Sequence, residues 1–127
     1  MIIYDTTLNV ALRATNITDL LSSVGGVKCV YNSSVLPTSV TTGLETINFY
    51  LTTPFNGALE YTDVDYTVNC RSDNEYTSRQ IAQAVYTELN RSTYTDCFMI
   101  ANILSTIKPA DETDNYNTPV LVNIKGK

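Results

Sequence analysis

The 127-residue sequence contains no histidine and no tryptophan. Without imidazole, a Ser-His-Asp triad, a histidine general base and most zinc sites are excluded together. Cations are scarce: eight Lys and Arg stand against thirteen Asp and Glu, a formal charge of −5. Arg13, Lys28, Arg71, Arg79, Arg91 and Lys108 are scattered, and only Lys125 and Lys127 sit together. A duplex-binding surface needs clustered cations to displace counterions from phosphate, so sequence-specific nucleic-acid binding is not expected. The five glycines fall at turns or in the tail, and neither G-x-x-x-x-G-K-[ST] nor G-x-G-x-x-G occurs. The longest apolar run, FMIANIL over 98–104, is too short to span a bilayer. No basic region precedes the apolar residues of MIIYDTT, so a secretory signal is not expected either. The sequons at Asn16, Asn32 and Asn90 then read as products of a Ser/Thr-rich composition.

Three cysteines, Cys29, Cys70 and Cys97, are an odd number, widely spaced and without C-x-x-C. They are expected to pack in a core, in a reducing interior or a particle assembled in one. With 43% hydrophobic and 17% charged residues the chain reads as globular. Its length suits a single domain over 1–127, which buries roughly two-thirds of its unfolded surface. Abundant Thr and Tyr favour strands.

Leu8, Ala11, Leu12 and Thr15 repeat at helical spacing behind Asp5 or Thr6 as cap, with a break near Thr15-Asn16. Ile17, Leu20, Leu21 and Val24 continue the period, and Gly25-Gly26 is the expected C-cap. VKCVY (27–31) reads as a first strand, and NSSVLPTSVTTGL (32–44) has loop composition. ETINFYLT (45–52) sets Ile47, Phe49 and Leu51 against Thr46, Asn48 and Tyr50. After the turn TPFNG (53–57), residues 59–71 set Val64, Tyr66, Val68 and Cys70 against Asp65, Thr67, Asn69 and Arg71. The two segments form a hairpin with one solvated face.

The chain then passes through a polar turn into an amphipathic helix. Ser72-x-x-Glu75 fits a capping box, and Ser78, Ile81, Ala82, Val85 and Leu89 form a narrow stripe of mostly small residues. Arg79, Gln80, Gln83, Thr87 and Asn90 face water. Residues 98–109 and 118–126 read as two further strands around the acidic turn ADETDNYN. The expected architecture is α+β: a mostly antiparallel sheet of about five strands, with an N-terminal helix and a second helix packed on one face.

Candidates for chemistry fail on their spacing. As a calcium loop, DETDN (111–115) has Tyr116 where the sixth-position glycine belongs and no glutamate at the twelfth. Asp63 and Asp65 share a strand face but have no acid–base partner, which makes them a solvated surface. Nine tyrosines without tryptophan suit either a protein interface or ordinary strand composition. No cofactor, metal or catalytic set is expected.

Three runs carry a family resemblance: TINFYLT followed by FNGALEYTDVDYTVNCRS, the helix YTSRQIAQAVYTELNR, and IKPADETDNYNTPVLVNIKG. Over roughly residues 45–126 this succession resembles small tail-completion proteins of tailed bacteriophages. These include tail terminators, also described as minor capsid or head–tail joining proteins. The resemblance implies a structural virion protein, commonly a hexameric ring on the head-proximal end of the tail tube. Such a ring ends tube growth and docks the head connector or completion protein, and the genome passes through its lumen without specific binding. An acidic chain suits a passage in which DNA must slide. A virion location without membrane contact follows. The loops and the acidic turn supply the candidate interface: Val35, Leu36, Pro37, Thr53, Pro54, Phe55, Asn56, Asp111, Asp114 and Tyr116. The alternative from another class is a small ligand-binding or regulatory α+β domain.

Overall fold

The computed structural model describes residues 4–37, 43–52, 63–109 and 115–126. The elements run α1 (Asp5–Ala11), α2 (Thr15–Thr18), β1 (Ser23–Val24), β2 (Val27–Lys28), β3 (Val30–Asn32), β4 (Thr46–Leu51) and β5 (Asp63–Ser72). They continue with α3 (Glu75–Leu89), β6 (Ser92–Thr93), β7 (Cys97–Ile103) and β8 (Tyr116–Gly126). Six strands form one sheet in the order β3-β4-β5-β8-β7-β6, and β1-β2 is a separate two-stranded ribbon. The architecture is α+β, and every pairing except parallel β3–β4 is antiparallel.

The alternation that marked the strands sets their two faces. β5 and β8 pair from Asp63↔Lys125 to Ser72↔Tyr116, so Val64, Tyr66, Val68 and Cys70 lie beside Ile124, Val122, Val120 and Thr118. All eight side chains are buried. Onto this face comes α3, with Ser78, Ile81, Ala82, Val85 and Leu89 as its buried side. Ser78 makes the close approach possible, since its hydroxyl donates to Cys70 O at 2.7 Å and meets Thr118 Oγ1 at 2.9 Å. Leu8, Leu12 and Ile17 complete the same core with Phe49 and Met99. Each fully buried aliphatic side chain contributes on the order of 1.5–3 kcal/mol. All three cysteines are buried thiols, as expected.

Several local expectations are corrected. The second N-terminal helix is a single turn, and Gly25 and Gly26 (φ 60° and 80°) make the β1–β2 turn in place of a helix C-cap. Two successive positive φ angles suit a tight hairpin and exclude most other residues. Ser72 is still paired with Tyr116, so α3 starts later, with Asn74 as its cap accepting from Thr77 N. Neither Asp5 nor Thr6 caps α1, whose N-cap is Tyr4 with no side-chain bond. Asn90 is half-buried, and its Oδ1 accepts from Ala101 N at 3.1 Å. The strand read over 98–109 ends at Ile103, and β6, too short to show periodicity, adds a sixth strand to the sheet.

Asp5 has a tertiary role. It accepts from Tyr66 Oη at 2.5 Å and from Asn32 Nδ2 at 2.8 Å, joining α1 to the sheet. Burial, then the bond to the Asp5 carboxylate, pushes the Tyr66 hydroxyl far above the ordinary tyrosine value. A group whose folded pKa is raised contributes stability below its unfolded pKa and loses it as pH rises. Denaturant midpoints should therefore fall as pH climbs past about 10, where Tyr66 of the unfolded chain ionises. Tyr66→Phe should cost about 1–2 kcal/mol at neutral pH and flatten that alkaline fall. An unchanged alkaline slope in the variant would contradict this assignment.

Candidate interaction surface

The helices cover one face of the sheet, and the other carries amides, carboxylates and hydroxyls. In register across it lie Asn48, Asn69 and Pro119, with Thr46, Arg71 and Asn117 in the next row. Arg71 Nε donates to Asn48 Oδ1 at 3.0 Å, Asn117 Nδ2 to Asn69 Oδ1 at 2.9 Å, and Asn48 Nδ2 to Ser33 O at 3.0 Å. The segment after β3 thus folds against this face, and Thr46 and Asn48 are buried although they point away from the helices. Further along, Asn123 Nδ2 donates to Asp63 Oδ1 at 2.6 Å and to Asp65 Oδ1 at 2.9 Å, while Lys125 pairs with Asp63 at 3.4 Å. Asn123's amide and Lys125 hold the Asp63 carboxyl below its ordinary pKa. The two aspartates are therefore bridged side chains of a polar surface. Among the described residues, no group of three or more His, Cys, Asp or Glu is placed to hold a metal ion. No helix among them is long and apolar enough to cross a membrane.

The expected interface residues sort by position. Val35 is 73% exposed and Pro37 exposed, with Leu36 half-buried, just beyond the β3 edge. Tyr116 begins β8 and is half-buried. Thr53, Pro54, Phe55, Asn56, Asp111 and Asp114 lie outside the described residues. Asn115, 8% exposed, links two of the expected segments: its Oδ1 accepts from Gly43 N at 3.1 Å and its Nδ2 donates to Leu44 O at 3.4 Å. Gly43 and Leu44 are thereby held at the Tyr116 end of the sheet. β4 ends and β5 begins at the opposite end.

One feature of the surface was missed. β6 pairs with β7 only at Phe98 and Met99, and beyond them, among the described residues, Asn90 Oδ1 takes Ala101 N but no strand neighbours the outer side of β7. Leu104 N donates inward to Pro119 O and Ile107 exchanges bonds with Asn117, carrying the edge past the strand. Ile103, Leu104 and Ile107 are exposed there, and the first two line a groove of about 480 Å³ together with Arg79, Gln83 and Thr106. The excess of apolar residues over strict alternation in FMIANILSTIKP was the available signal.

Asn115→Ala should remove both ties to 43–44 and cost about 1–2 kcal/mol, with faster hydrogen exchange at the Gly43 amide. Unchanged stability and exchange would show that the segment is held by other means.

No family model and no curated protein matches the chain in sequence. In three dimensions it is similar to a chain in the virion of a native gene transfer agent particle. The TM-score is 0.59 at 14% identity, covering 94% of this chain and 90% of that one.

Proposed function

We propose that this chain is a structural protein of a phage-like virion, and specifically a ring-forming tail-completion protein of the terminator kind. The observation that carries the reading is the fold correspondence over 94% of the chain with a protein of a virion particle. It agrees with the sequence resemblance, which rests on different information. On this reading the partners are copies of itself, the major tail tube protein and a head-completion or connector protein. The genome passes through the lumen without specific contacts, in keeping with the charge of −5. The role is assembly, with no catalysis.

A second reading, a small ligand-binding domain, would use the groove beside α3. Ligand-dependent melting of a protein that never assembles would favour it. Mass measurement over a wide concentration range, with and without tube protein, separates the two. The expected result is a closed ring, commonly hexameric in the proteins it resembles. A strict monomer that never joins the tube would remove the terminator reading.

A further inference from the structure

Past Ile103, which pairs with Val120, the chain leaves β7 but still lies along β8. Leu104 N donates to Pro119 O at 2.9 Å, and Ile107 exchanges bonds with Asn117 at 2.7 and 3.1 Å. Residues 104–107 thus form a strap over the β8 edge at Asn117–Pro119, whose other side pairs with β5. Among the described residues, these three bonds are its backbone ties. Pro119 has no N–H to give, so the strap receives one bond there where a ladder would supply two. Apolar burial adds little, since Leu104 is 48% and Ile107 56% exposed.

Hydroxyls supply a further tie. Ser78 Oγ donates to Cys70 O at 2.7 Å and so spends its one proton. The 2.9 Å contact between Ser78 and Thr118 therefore has Thr118 as donor, and the 3.0 Å contact between Thr118 and Thr106 has Thr106. Thr106 Oγ1 in turn accepts from Arg79 Nε at 3.2 Å. Glu75 Oε1, 2.8 Å from Arg79 Nη2, steadies the guanidinium from one turn back. The chain of donors from Arg79 through Thr106, Thr118 and Ser78 is fixed in direction by its buried end, and each link polarises the next. It leads from an exposed helix side chain, across the strap, to hydroxyls in the core.

We propose that residues 104–107 are a latched strap, which opens as a unit while the rest of the sheet stays paired, and that the hydroxyl chain led by Arg79 is its latch. Opening turns the β8 edge at Asn117–Pro119 from a covered edge into one able to pair. The device does not depend on the ring reading.

Native-state hydrogen exchange tests it. In the wild type the Leu104 and Ile107 amides should exchange at least about tenfold faster than the slowest β5–β8 amides, with little dependence on denaturant. Thr106→Val should speed both strap amides about fivefold, the worth of one net hydrogen bond, and Thr106→Ser should not. Arg79→Met, on the exposed helix face, replaces Thr106→Val if that variant unfolds. Ile17→Val destabilises the core away from the strap, in the closed and open states alike. It should speed the β5–β8 amides and leave the strap amides at wild-type rates. Strap amides that follow the β5–β8 amides in denaturant and in Ile17→Val would show that the strap opens only with the whole fold. Strap amides indifferent to Thr106→Val, or equally fast in Thr106→Ser, would show that the hydroxyl chain is not the latch.

Discussion

The antiparallel register of β5 and β8 is the constraint on which the rest depends. Ten residue pairs fix it, from Asp63↔Lys125 to Ser72↔Tyr116. Because side chains alternate, a slip of one residue would turn Val120, Val122 and Ile124 to the polar face and bring Asn123 and Lys125 beneath α3. The same register sets Thr118 under Ser78, which lets the helix approach closely, and Asn123 between Asp63 and Asp65. At one end it places Asn115 where it holds Gly43 and Leu44. Core, polar face and the anchored segment therefore follow from one pairing.

Outside this central pair the sheet is less symmetrical. β4 adds an antiparallel neighbour, and β3 joins it in parallel with its outer side occupied by Arg13. On the far side β7 is paired along its whole inner length with β8 but only briefly with β6. Among the described residues, one edge thus has Arg13 on its Val30 carbonyl, while the other, past the bond from Ala101 N to Asn90, carries exposed apolar side chains. Edges left open in this way are usually covered by another chain or blunted by charge.

The sequence made the strongest periodic signals legible. The alternation in β5 and β8 and the Ser78–Leu89 stripe predicted the helix-covered face, because burial on one side leaves a regular imprint. In β4 it marked Ile47 and Phe49, but Thr46 and Asn48 are buried as well and Leu51 is half-buried. Short elements left no such imprint. Gly25-Gly26 fits a helix end or a hairpin turn equally well on composition, and only the backbone angles of 60° and 80° decide. Ser72 resembled a cap because its spacing to Glu75 matched, but its pairing with Tyr116 kept it in the strand and Asn74 took the role. For the candidate surface, Val35 and Pro37 were legible as exposed loop residues. The β7 edge left only the apolar excess of FMIANILSTIKP as a local trace, since its exposure depends on where β6 stops, which is a long-range fact.

The functional account unites a chain without imidazole, a sheet face of bridged amides and carboxylates, and a fold similar to that of a virion protein. On the proposed reading, this protein ends the growth of a tail tube. The most direct measurement is polymerisation of the partner tube protein in the presence of substoichiometric amounts of this chain, followed by electron microscopy. The account predicts that elongation stops at one end, with a ring visible on that end of each tube. Tubes that lengthen at an unchanged rate, with both ends bare, would contradict it.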